Sequence, residues 1–162
     1  MSTHNAVIDW SLGETSDADF VAGRYSRAHT IAFDAGVTLP GSSSPSVVKA
    51  PWSVEAAADP EELLVASAAS CHMLWFLDYA KHAGFAVSRY HDEPVGQMGK
   101  MVDGSVGLTR IVLSPTIAFA GTAPSPSELD ALHHKAHASC FIANSLKGEV
   151  VVAPAASLAA PL

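Results

Sequence analysis

Residues 59–77, D-P-E-E-L-L-V-A-S-A-A-S-C-H-M-L-W-F-L, predict a long helix around which the rest of the chain is organised. Asp59 can cap this helix, Pro60 suits its first position, and Glu62 stands three residues after Asp59, as in a capping box. After Glu62 no charged residue follows until Asp78. A soluble helix that is apolar or small on every side is a buried helix, so we expect it to form the core.

The two cysteines of the chain are Cys71, in the middle of this helix, and Cys140. The motif S-P-S-E at 125–128 repeats the capping pattern and predicts a second helix that runs to about Lys147, with Gly148 as its stop. Cys140 is expected inside that helix. A thiol in a core helix is usually inert packing, but two packed helices could bring the thiols together.

The remaining segments predict mainly strands separated by Gly-, Ser- and Pro-rich turns. The first helix is predicted to span Pro60 to about Ala83 and to stop at Gly84. In chain order the predicted strands are Ala6–Leu12, Arg24–Phe33, Val37–Leu39, Phe85–His91, Val95–Met101, Leu108–Phe119 with a break at Pro115, and Glu149–Val152. The strands before and after residues 92–94 are expected to pair as a hairpin. The order βββ-α-βββ-α-β favours the α+β class, with antiparallel sheets and two long buried helices. The Ala/Pro-rich tail, residues 153–162, is expected to fray.

Length and composition narrow the possible functions. A chain of 162 residues is expected to be one domain, residues 1–162. Its charged fraction of 15% is low against about 25% in typical domains, which suggests that a partner chain covers part of the surface. The net charge of −7 argues against nucleic-acid binding. The start of the chain does not resemble a signal peptide, and the apolar run 63–77 is shorter than the roughly 20 residues that span a bilayer. We therefore expect no membrane association and a cytoplasmic location, where a disulfide is usually transient.

A nucleophilic role for Cys71 requires a group that stabilises its thiolate, because a free thiol with a pKa of about 8.5 is only a few per cent ionised at neutral pH. The helix N-terminus lies roughly 16 Å away, beyond the range of its dipole. His72 points about 100° away around the helix. The best candidate cation is Arg27, on a predicted strand, and Arg24 is the second.

Three motifs in order resemble the OsmC/Ohr family of thiol-dependent hydroperoxide reductases, in its broader OsmC-like branch. They are R-A-H-T-I-A-F-D-A-G at 27–36, P-E-E-L-L-V-A-S-A-A-S-C-H-M at 60–73, and H-K-A-H-A-S-C-F-I-A-N-S at 134–145. The resemblance covers roughly residues 25–154. It implies an OsmC-like fold and an intertwined homodimer with active sites at the subunit interface.

The resemblance also implies the roles of four residues. Cys71 is the peroxidatic cysteine, Cys140 the resolving cysteine, and Arg27 and Glu61 complete the site. The implied reaction reduces an organic hydroperoxide through a Cys71 sulfenic acid and a Cys71–Cys140 disulfide, with an external thiol or dithiol as reductant and no bound cofactor. Glu61 lies about 15 Å from Cys71 along one helix, so we expect each site to be shared between two chains.

A second function stays open at this stage. His133 and His137 are four residues apart and Cys140 follows three later, so the three side chains share one face of the predicted helix. That spacing could bind zinc, although one face supplies only three ligands. The alternative is therefore a non-enzymatic dimer that binds a metal or small ligand on the same fold.

Overall fold

The structure, a computed structural model, describes residues 2–153, which separate into two compact units. The first ends at Leu63 and the second begins at Leu64. The expectation of a single domain is not tested by this division and stays a prediction. The predicted frayed tail lies outside the described residues apart from Ala153.

The first unit contains an antiparallel sheet of three strands in the order β1-β2-β3. Its elements are β1 (Ala6–Asp9), a short helix α1 (Asp17–Val21), β2 (His29–Phe33) and β3 (Thr38–Gly41). Helix α1 forms where a turn was predicted, because the Ser16 side chain caps it by accepting a hydrogen bond from the Asp19 N–H. Strand β2 begins at His29 rather than Arg24, so the prediction that places Arg27 on a strand is wrong: the residue lies in the loop before it.

Helix α2 (Pro60–His82) begins as the sequence predicts. The Glu62 N–H donates to Asp59 Oδ1 at 2.7 Å and the Asp59 N–H donates to Glu62 Oε2 at 3.1 Å, which confirms the capping box. Gly84, with φ +84°, follows as the left-handed stop.

The expected burial of α2 is only partly met within the described chain. The buried residues of its 23 are Ala68, Ala69, His72, Phe76 and Ala80, and Leu74 is 61% exposed. By length and composition alone, the helix could also cross a bilayer, whereas the predicted apolar run of 15 residues was too short to do so. Core helices of soluble proteins meet the same criterion.

The second unit holds two further sheets. Its elements after α2 are β4 (Val87–His91), β5 (Val95–Lys100), β6 (Val106–Leu113), β7 (Thr116–Phe119), α3 (Pro126–Ser139), a 3-10 turn (Ala143–Ser145) and β8 (Glu149–Val152). Strands β4 and β7 pair antiparallel, β5 and β6 pair antiparallel, and β8 adds to β6 in parallel.

The predicted hairpin between the strands on either side of residues 92–94 is wrong, because β4 and β5 belong to different sheets. Between β4 and β7 the chain changes sheet twice, once between His91 and Val95 and once between Leu113 and Thr116. The Ser114 N–H donates to Asp92 Oδ1 at 2.7 Å and ties the two crossings together. The one predicted local pair therefore gives way to a long-range pair, β4 with β7.

Two apolar clusters build the core of this unit, and α2 contributes to both. One cluster consists of Ala68, Ala69, Ile111, Leu113 and Val150, and the other of Phe76, Ala80, Leu132 and Ala136. The first joins α2 to β6 and β8, and the second joins it to α3. The class is α+β, as predicted.

The second helix is shorter than predicted, because α3 ends at Ser139 and Cys140 is its C-cap in extended conformation. The Asn144 side chain donates to the carbonyl of Ala138 at 3.1 Å and so satisfies a helix-end group that a longer helix would have paired. Gly148 is not a left-handed stop. A Cβ at that position would collide with the Leu108 carbonyl, so glycine is required for close approach of two backbone segments.

Candidate active site

Cys71 and Cys140 lie next to each other in the second unit, both as free thiols. Cys71 comes from the middle of α2 and Cys140 from the C-cap of α3, and the two thiols are close enough for Cys71 to raise the pKa of Cys140. The Cys140 Sγ accepts a hydrogen bond from the Ala143 N–H at 3.4 Å and lies 4.0 Å from the carbonyl oxygen of Ala68, one turn before Cys71. The predicted meeting of the two sulfurs is therefore found in one chain.

The two thiols have different surroundings. Cys140 is 1% exposed, whereas Cys71 is half-buried. Burial is the main cause that raises the pKa of the Cys140 thiol to about 11; the neighbouring Cys71 acts in the same direction, and the Ala143 N–H opposes it. Cys140 therefore stays a protonated thiol at neutral pH. The more exposed Cys71 is the sulfur that a reagent from solution meets first.

Aromatic side chains flank the thiol pair. Trp75 lies one turn after Cys71, and its ring meets the Phe141 ring edge-on at 5.5 Å. Tyr79 packs against Trp75 at 5.8 Å, and its hydroxyl shares a 2.7 Å hydrogen bond with the Ser139 hydroxyl. Phe141 is 69% exposed, so the surface beside the cysteines is aromatic and apolar.

Arg27 is half-buried in the loop before β2 of the first unit. Its Nη1 donates to the carbonyl of Gly23 at 3.0 Å and to that of Tyr25 at 2.6 Å, and its guanidinium lies 3.7 Å above the Tyr25 ring. Within residues 2–153, its Nε and Nη2 donate to no protein acceptor. Arg24, the second candidate, donates through Nε and Nη2 to Asp19 on the exposed surface and is thus already paired.

Glu61 lies in the first turn of α2 and is half-buried. Its neighbour Glu62 is the partner of Asp59 in the capping box. No hydrogen bond or ion pair engages the Glu61 carboxylate in the part of the chain that the structure describes. The roles expected of Arg27 and Glu61 stay predictions, and both side chains keep charged atoms that are free to take part.

A buried histidine pair was not recognised from the sequence. The His72 Nε2 and His133 Nδ1 share a 3.1 Å hydrogen bond, with ring planes 8° apart and ring centres 5.4 Å apart. The distance of 5.4 Å between the ring centres is too large for face-to-face stacking. It fits two nearly coplanar rings that are joined edge to edge by the hydrogen bond. Burial is the main cause that lowers the pKa of each imidazole to about 4. The pair is neutral at pH 7, so it links α2 to α3 without charge.

The proposed three-ligand metal face is wrong for this fold. Among residues 2–153, no three His, Cys, Asp or Glu side chains are grouped so that they could hold a metal ion. Cys140 lies past the end of α3 and turns its sulfur toward Ala68 and Ala143. The His133 imidazole is hydrogen-bonded to His72 instead. Neither His133 nor Cys140 therefore takes the position on a shared helix face that the spacing had predicted.

The fold and site define a class of α+β protein in which two free thiols, one within a helix and one at the end of another, lie next to each other. A model of the OsmC-like protein family matches residues 53–154, and the chain belongs to that family. No curated protein matches it.

Solved structures agree with this assignment. An OsmC-like protein of unknown function from Vibrio cholerae O1 is 45% identical, with a TM-score of 0.90 over 94% of this chain and 99% of the other. An organic hydroperoxide resistance protein from Elizabethkingia anophelis is 19% identical, with a TM-score of 0.67 over 94% and 93%. An organic hydroperoxide resistance protein, OsmC, from Legionella pneumophila is 19% identical, with a TM-score of 0.67 over 98% of each chain. The last two share the fold.

Proposed function

We propose that this protein is a thiol-dependent peroxidase that reduces organic hydroperoxides to alcohols. The observation that carries the proposal is that the half-buried Cys71 thiol lies beside the buried Cys140 thiol. A reactive cysteine beside a second, protected cysteine is the arrangement that a two-step peroxide reduction needs. The names of the fold relatives from Elizabethkingia and Legionella support the same chemistry.

The proposed cycle has three steps. The Cys71 thiolate attacks the outer peroxide oxygen, the O–O bond breaks, and the alkoxide takes a proton to leave as an alcohol. The Cys140 thiolate then attacks the Cys71 sulfenic acid, the S–S bond forms, and the hydroxide leaves as water with the proton that Cys140 released. An external thiol or dithiol finally reduces the disulfide and is itself oxidised.

Arg27 and Glu61 are proposed to complete the site. A guanidinium with free Nε and Nη2 donors can stabilise a thiolate and the negative charge that develops on the leaving oxygen. A carboxylate without another partner can hold such a guanidinium in place. The aromatic surface at Trp75 and Phe141 supports an organic rather than a fully polar peroxide as substrate.

We propose that the protein works as a homodimer in the cytoplasm. Leu74 and Phe141 are large apolar side chains that are more than half exposed, and so are Val7 and Ile8. Such exposure is typical of surfaces that a partner chain covers. A disulfide that forms and is reduced in each turnover suits a compartment that supplies reducing thiols.

Thiol titration tests the proposal directly. We expect both thiols of the chain to disappear after one equivalent of cumene hydroperoxide is added, and to return on treatment with dihydrolipoamide. Hydrogen peroxide and glutathione serve as the comparison oxidant and reductant. Thiols that stay titratable after cumene hydroperoxide would contradict the proposal.

A further inference from the structure

A cleft of about 670 Å³ separates helix α3 from strand β8, and its lining includes neither cysteine nor the aromatic side chains beside them. One wall consists of Asp130, His133, His134 and His137 of α3, and the other consists of six successive residues, 148–153, with Ala143 and Asn144 between the two walls. Side chains of a strand alternate between the two faces of a sheet. A wall that includes every successive residue of β8 is therefore the edge of the strand and not one of its faces.

The edge of β8 that faces the cleft has unused backbone groups. Strand β8 pairs only with β6 among the described strands. The Ala153 N–H donates to the carbonyl of Leu113 on β6. Successive residues of a strand direct their backbone N–H and C=O groups to opposite edges, so those of Val150 and Val152 face away from β6. An edge of this kind is a template for a further strand.

The opposite wall is polar and lacks positive charge. Asp130 is exposed and has no hydrogen bond or ion pair within residues 2–153, and no lysine or arginine lines the cleft. Glu149 adds a second carboxylate, which faces Arg110 of β6 at 3.7 Å. His133 is 6% exposed, and its Nε2 and the His137 Nδ1 are buried without a partner in the described chain. An occupant with a basic side chain complements this wall.

We propose that this cleft binds an extended segment of a partner polypeptide, which adds as a strand to the free edge of β8 and places a lysine or arginine opposite Asp130. Main-chain hydrogen bonds to Val150 and Val152 supply affinity in this mode, and the side chain opposite Asp130 supplies selectivity. The apolar residues that support the proposed homodimer do not line the cleft. This binding function goes beyond the peroxidase and does not depend on it.

The test uses the full chain and a capped peptide of alternating threonine and valine with one central lysine. Peptide binding is measured by calorimetry, and hydrogen exchange at the Val150 and Val152 amides is followed by NMR. We expect saturable binding that slows exchange at both amides. Absence of peptide binding overturns the proposal. Slow exchange at both amides before peptide is added also overturns it, because a second copy of the chain then occupies the edge of β8.

Matched variants separate strand addition from adhesion to the wall. In one peptide analogue the odd-numbered residues carry N-methyl groups, and in the other the even-numbered residues do. Only one of these sets directs its N–H groups toward β8, so we expect one analogue to lose affinity by about tenfold and the other to keep it. Val152→Pro removes an N–H that faces the cleft and keeps the β6 ladder, so it is expected to lose binding by a similar factor, while Val152→Ala retains it. Equal binding of both analogues to the unaltered chain overturns the proposal even if Val152→Pro does not fold.

Discussion

His72 and His133 join the two long helices of the second unit through a single buried hydrogen bond of 3.1 Å. Two neutral imidazoles carry two ring protons between them, and one of these lies in the shared bond. Of the two outer nitrogens, His72 Nδ1 and His133 Nε2, one must therefore be an N–H and the other a lone pair. Both are buried and have no partner within residues 2–153, so this helix contact is sensitive to protonation.

Stability should fall in mild acid because of this pair. The pKa of each imidazole is lowered from 6.5 to about 4 in the folded chain, so the unfolded chain binds more protons between these values. The free energy of unfolding is therefore highest above pH 6.5 and decreases as the pH falls toward 4. One histidine with such a pKa shift accounts for a decrease of roughly 3 kcal/mol.

Urea unfolding from pH 7 to pH 4 measures this loss. The double variant His72→Gln/His133→Gln should have a shallower pH dependence of the free energy of unfolding than the wild type. His134→Gln, on the exposed side of α3, removes only a minor electrostatic effect on His133 and is the matched control, which should change the slope little. Equal slopes in the wild type and the double variant would contradict the assignment.

The two cysteines should fail at different steps. Cys71→Ser is expected to reduce peroxide only at the uncatalysed rate, because no other thiol is exposed to the substrate. Cys140→Ser should consume one equivalent of peroxide and then hold a sulfenic acid that dimedone traps. Mass spectrometry of the peptide that contains Cys71 measures both outcomes. A dimedone adduct on Cys140 instead would reverse the assigned roles.

Disulfide formation should accelerate steeply with pH. The pKa of Cys140 is raised to about 11 by burial, so its reactive thiolate fraction grows about tenfold per pH unit between pH 7 and 10. Stopped-flow loss of the dimedone-trappable sulfenic acid after one equivalent of peroxide measures this step. Cys140→Ser should show no such phase at any pH. A rate that is independent of pH in the wild type would mean that Cys140 is activated by another group.

Arg27 and Arg24 should separate clearly under substitution. Arg27→Gln is expected to lower kcat/KM for cumene hydroperoxide by about a hundredfold to a thousandfold, because the transition state loses a charged donor. Arg24→Gln removes only an exposed ion pair with Asp19 and should change the rate by less than about threefold. Arg27→Lys keeps the charge without the planar donor set and should be intermediate. An Arg27→Gln variant with wild-type kcat/KM would remove this residue from the site.

Gly148→Ala should destabilise the chain by roughly 2 to 4 kcal/mol, because its Cβ would collide with the Leu108 carbonyl, which is backbone and cannot move aside cheaply. Gly107→Ala is the control, since its Cβ would meet only the flexible end of Met101 at 3.2 Å. Thermal unfolding compares the two variants. A similar loss in both would mean that the contact at Gly148 relaxes easily.

Several elements could be predicted because their signals are local. The capping residues before α2 and α3 and the glycine that ends α2 each depend on neighbours a few residues away, and they lie where expected. The end of α3 could not be predicted in this way. The Asn144 side chain competes there for a helix carbonyl, and local propensity does not include that competition.

The sequence by itself determined the α+β class, the helix that carries Cys71, and the family to which the motifs belong. Only the tertiary structure decided that β4 pairs with β7, that Cys140 caps a helix beside Cys71, and that His133 bonds to His72 rather than facing a metal. The physical reason is the range of the interactions. Caps and periodicity act within one or two turns, whereas these contacts join residues 25 to 69 positions apart, and their partners are chosen by how the helices and sheets pack.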